Sequence, residues 1–92
     1  MENRILTLHP EGKEGVNISQ EKYTVIRKAI LEALCEYEQV AFKDLLQIIK
    51  LELAQSFKGS VPWYVTTVKL DLEARKEIVC QRGRGPQVVS LA

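Results

Sequence analysis

Long apolar runs are missing from this 92-residue chain. No stretch approaches the roughly 20 residues that cross a bilayer as a helix, and the N-terminus shows no basic region leading into an apolar core and a small-residue cleavage site. The expectation is a cytoplasmic protein with no membrane partner. Histidine occurs once, as His9 beside Pro10, and cysteine twice, as Cys35 and Cys80 on separate expected elements. No spacing among them forms a metal knuckle or a redox pair, so no metal site is expected. Both cysteines are read as small buried hydrophobes, because free cysteine is among the most buried residue types.

Motifs of catalysis are equally scarce. There is no acid-base pair, nucleophile elbow or phosphate-cradling glycine loop. An enzyme, a cofactor and a small-molecule substrate are therefore not expected. A Gly/Ser-rich linker, an internal repeat and a low-complexity tract are also absent. That leaves one domain over residues 19–92, preceded by an arm or short strand over residues 1–18. A net charge of +1 argues against a polybasic protein that coats nucleic acid, yet the charge is uneven: residues 1–56 carry a net −2 and residues 57–92 a net +3. The basic part is where a surface approaching phosphate would lie.

What the chain does contain is an ordinary globular composition, 46% hydrophobic and 27% charged. Residues 3–8 read either as a short strand or as an arm lying on a partner, Pro10 ends them, and residues 11–15 form a flexible polar connector. Helix 1 is expected to start at Ser19, whose hydroxyl can cap the first turn, with Ile18 and Tyr23 as a hydrophobic staple. Its apolar stripe runs through Tyr23, Ile26, Ile30, Ala33, Leu34 and Tyr37. A short β-prone stretch, Gln39 to Phe42, precedes helix 2 at about 43–55, with Phe42, Leu45, Leu46, Ile49 and Leu53 inward. Phe57 reads as a core anchor, and Gly59 as the left-handed stop.

The chain is organised around the segment from Ser60 to Leu91. Ser60 is the expected N-cap of helix 3, and Pro62 falls in its first turn, where a missing amide hydrogen costs nothing. Val61, Val65, Val68 and Leu72 carry a helical apolar period. The period changes to two at Ile78, Gly83 to Pro86 supply a turn, and Val88 to Leu91 form the closing strand.

At Leu72-Glu73-Ala74-Arg75-Lys76-Glu77-Ile78, followed by a strand, a Gly/Pro-containing turn and a second strand, the chain resembles the winged helix-turn-helix superfamily. It also resembles a group of small uncharacterised bacterial proteins with that fold. The resemblance covers Ser19 to Leu91 and implies an α+β winged helix-turn-helix domain: three helices, a C-terminal β-hairpin as the wing, and a short additional strand. Where such sequences commonly place Gly at the end of helix 3, this one has Lys76. The backbone there must either avoid the left-handed region or accept strain of about 1 kcal/mol. The link between helices 2 and 3 is also longer than the tight turn of the simplest DNA-binding helix-turn-helix.

Two functions of different classes follow. The leading one is duplex DNA binding and transcription regulation as a homodimer, with helix 3 in the major groove and the hairpin on the backbone. Its contacts would be Arg82 and Arg84 at the wing tip, Thr66, Thr67 and Lys69 on helix 3, and Lys58 and Ser60 near that helix's N-terminus. The other is a protein-interaction module without DNA binding. Trp63, Thr67, Leu70 and Ala74 line the face opposite the valine seam, and an outward Trp63, Leu70 and Ala74 suit a dimer seam or a docking face better than a base-reading one. Asp71 and Glu73 favour the second reading, because carboxylates near phosphates oppose binding.

Overall fold

The computed structural model describes residues 3–82 and 85–92. Its elements follow in the order β1 (Arg4–Leu6), β2 (Asn17–Ser19), α1 (Gln20–Tyr37), β3 (Gln39–Ala41), α2 (Phe42–Leu53), α3 (Val61–Ala74), β4 (Ile78–Gln81) and β5 (Val88–Leu91). This is an α+β fold of three helices, a C-terminal hairpin whose sheet includes β3, and an additional N-terminal hairpin. The three-stranded sheet has the order β3-β5-β4, antiparallel throughout, with Val40 opposite Val89 and Cys80 opposite Val89 across the two ladders.

Local chemistry explains the helix limits. Ser19 caps α1 by accepting from the Lys22 amide, and Ser60 caps α3 by accepting from the Trp63 amide at 3.3 Å. The end of α3 is a Schellman motif. The Glu77 amide donates to the Leu72 carbonyl at 2.9 Å, the Lys76 amide to the Glu73 carbonyl at 3.0 Å, and Lys76 takes a positive φ of 63°. Of the two courses open to Lys76, the chain takes the strained one.

The core gathers the faces that the periodicity marks. Ile26, Ile30 and Leu34 of α1, Leu45 and Ile49 of α2, the Val61, Val65, Val68 and Leu72 seam of α3, and Ile78 and Val89 of the hairpin form one buried cluster. Tyr37, read as part of the inward stripe of α1, is exposed at the helix end, where the core has run out. The cysteines also depart from expectation: Cys35 is exposed and Cys80 half-buried. Cys35 lies on the outer face of α1, about 150° round the helix from the apolar stripe, so the helical period outweighs the general tendency of free cysteine to be buried.

The N-terminal segment is tied to the body of the chain. Its β1 pairs antiparallel with β2, with Ile5 opposite Ile18, and the Thr7 amide donates to the Val16 carbonyl at 2.8 Å. Ile18, the end of this hairpin's inner face, is itself a core residue. Gly15 lets the two arms close up: a Cβ there would stand 1.6 Å from the Thr7 carbonyl oxygen, a position no side chain can occupy. Among the described residues no helix is long and apolar enough to cross a membrane.

Candidate functional site

At 100° per residue the valine seam of α3 is flanked by Lys69 on one side and Asp71 on the other, each about 80° from its centre. Those flanks decide what the helix can present. Lys69 is 3% exposed: its ammonium donates to the Gln87 side-chain oxygen at 3.1 Å, pairs with Glu73 at 3.0 Å and lies 5.0 Å from the centre of the Phe42 ring. Glu73 also holds Arg82 at 3.2 Å. A Lys-Glu-Arg cluster with Gln87 thus ties both strands of the C-terminal hairpin to α3.

Asp71, on the other flank, is completely buried and accepts from three directions. The donors are the Leu8 amide at 2.8 Å, the Tyr23 hydroxyl, and Arg75 Nε, which reaches both carboxylate oxygens at 3.0 and 2.9 Å. Burial first, and then the hydrogen bond to Asp71, push the Tyr23 phenol well above its ordinary value. The hydrogen bond to Asp71 likewise holds Arg75 more firmly protonated. This node joins the N-terminal segment, α1 and α3. Thr67, one turn before Asp71, is 8% exposed.

The expected site residues therefore separate into two sets. Thr67 and Lys69 are both buried, a correction to their reading as outward polar contacts, and Lys69 is in addition engaged by Glu73, Gln87 and the Phe42 ring. Lys58, Ser60, Thr66 and Trp63 are exposed, Leu70 and Ala74 half-buried, and Arg82 exposed though paired with Glu73. The Thr66 hydroxyl donates to the Pro62 carbonyl at 2.9 Å. Arg84 lies outside the described residues. What remains open on α3 is its N-terminal half, centred on Trp63, which is 45% exposed.

Beside that half runs an aromatic ladder. The Trp63 ring meets the Tyr64 ring edge-on at 4.9 Å, and Tyr64 meets Phe57 edge-on at 5.2 Å. Lys22, from the first turn of α1, places its ammonium 5.3 Å from the Tyr64 centroid and 5.9 Å from that of Phe57. Gly59 lets the link fold onto this cluster, with φ at 126° and only 3.2 Å between a hypothetical Cβ and the Tyr64 ring. A groove of about 440 Å³ opens next to the ladder, lined by Lys22, Val25, Phe57, Lys58 and Glu21 together with two serines. The role of Lys22 is invisible in the sequence, since it stands more than thirty positions from the residues it meets. Phe57 was legible only as an apolar anchor.

Among the described residues no group of three or more His, Cys, Asp or Glu side chains is placed to hold a metal ion. No curated protein and no solved structure matches the chain. Residues 4–89, which include the N-terminal hairpin, all three helices, β4 and the first two residues of β5, match a family described as the family of unknown function DUF6958, and the chain belongs to that family.

Proposed function

We propose that this chain is a winged-helix domain that works as a protein-interaction module, docking its partner on the exposed N-terminal half of α3. The element order of α1, β3, α2, α3 and the β4-β5 hairpin supports the winged-helix reading. One observation carries the functional reading. Lys69, the only basic residue between Val61 and Ala74, is consumed by Glu73 and Gln87, while the only tryptophan stands open on the same helix. A recognition helix for duplex DNA needs polar and basic groups reaching base edges and phosphates. A docking face uses an aromatic anchor with a polar rim.

The second reading is DNA binding as a homodimer. Lys58, Ser60, Thr66 and Arg82 favour it, because all four remain exposed, Lys58 and Ser60 before the start of α3, Thr66 on the helix and Arg82 just after β4. A photo-reactive amino acid placed at position 63 and activated in cells separates the two. The docking reading expects a protein adduct, absent when the same group is placed at Lys43 on α2. A nucleic-acid adduct, or no adduct, would overturn it.

A further inference from the structure

The groove beside Trp63 has a chemistry of its own. Neither the Lys22 nor the Lys58 ammonium forms an ion pair among the described residues; Lys43, Lys50 and Lys76 share that property, but only Lys22 and Lys58 line one groove together. Glu21 is the one carboxylate among the lining residues, so the groove keeps a positive balance. Phe57 and Val25 give it an apolar wall. Lys22 also differs from a freely moving surface lysine. Its ammonium is held against two aromatic rings, which lowers the ordering cost of meeting an anion.

We propose that this groove receives an acidic peptide segment of the partner protein. One or two carboxylates of the segment would meet Lys22 and Lys58, and a bulky apolar side chain would lie against Phe57 and Val25. The proposal rests on the docking reading and deepens it by naming the partner's chemistry. Two features support it. The charges are complementary, with two unpaired cations facing outward at one place. The groove is also continuous with the open face of α3, because Phe57 lines it and is linked through Tyr64 to Trp63. A nucleic-acid strand fits less well: it carries a phosphate at every nucleotide, and two cations beside Glu21 neutralise few of them.

The test is a selection of a random peptide library on the immobilised full chain, run in parallel with a random single-stranded oligonucleotide library. Enriched peptides are then measured by anisotropy. Enrichment of sequences with two or more Asp or Glu beside a bulky apolar residue is expected. Their binding should weaken about tenfold in Lys58→Glu, the loss of one charge-assisted contact, and further when Lys22→Glu is added. Lys58 is exposed and unpaired, so its replacement leaves the fold undisturbed, and Lys76→Glu, outside the groove, should bind as the wild type does. No enrichment, enrichment of peptides without acids, indifference to Lys58→Glu, or enrichment of oligonucleotides alone would each overturn the proposal. A protein adduct at position 63 alongside any of these results would leave the docking reading standing and remove only the acidic segment; failure of both experiments removes both.

Discussion

Asp71 shows how much one side chain settles here. A buried carboxylate is tolerable only when its oxygens are satisfied, and Asp71 draws on Leu8, Tyr23 and Arg75 to achieve this. Asp71→Ala strands the buried hydroxyl of Tyr23 and frees the Leu8 amide. It should lower the unfolding free energy by about 3–5 kcal/mol in urea titration, with a smaller loss for Asp71→Asn. A loss below about 1 kcal/mol would mean that the node is not what anchors the N-terminal segment. Tyr23 adds a pH dependence. Because its folded pKa is raised above the ordinary value of 10, the folded state favours the neutral phenol. That contribution is complete below pH 10 and is lost as the pH climbs from there towards the folded value. The readout is the difference between variants, in which contributions common to both cancel. Tyr23→Phe should be less stable than the wild type at neutral pH and should lose less stability between pH 9 and 11, a span chosen about that ordinary value. Equal alkaline slopes would contradict the assignment.

At the scale of elements, the end of α3 trades backbone strain for a side chain. Lys76 occupies the left-handed position of a Schellman motif that glycine fills without cost. Its own side chain is exposed and forms no ion pair among the described residues. Lys76→Gly should therefore raise stability by about 1 kcal/mol, read as a higher urea midpoint with an unchanged slope. A decrease would show that the lysine makes a contact worth more than the strain. The helices were legible because their signals are local: Ser19, Ser60 and Pro62 mark starts, and the valine seam marks a face. The C-terminal hairpin was legible because the apolar period changes at Ile78. The N-terminal hairpin was not, since β2 is only Asn17–Ser19 and its pairing depends on Gly15 meeting Thr7 across the loop. The burial of Lys69 was also hidden. A helical wheel reports the angle of a side chain from the seam, not the Phe42 ring, Glu73 and Gln87 that close over it.

Taken whole, the molecule spends much of its basic charge on itself. The Lys69-Glu73-Arg82 cluster fastens the hairpin to α3, Arg27 pairs with Glu77, and Asp71 with Arg75 fastens α3 to α1 and the N-terminal hairpin. Cations bound in this way contribute little to a phosphate-binding surface, and of the lysines left without an ion pair among the described residues, Lys22 and Lys58 share the groove beside Trp63 while Lys43, Lys50 and Lys76 stand outside it. The docking reading depends on that division between inward and outward charge. Amine labelling of the native chain with a small acylating reagent, followed by peptide mass spectrometry, tests it most directly. Lys58 should react at the rate of a free surface lysine, while Lys69 is acylated at least about a hundredfold more slowly, a rate set by opening of the fold. Acylation of Lys69 as fast as Lys58 would contradict the account, because the cation of α3 would then be free to meet a phosphate.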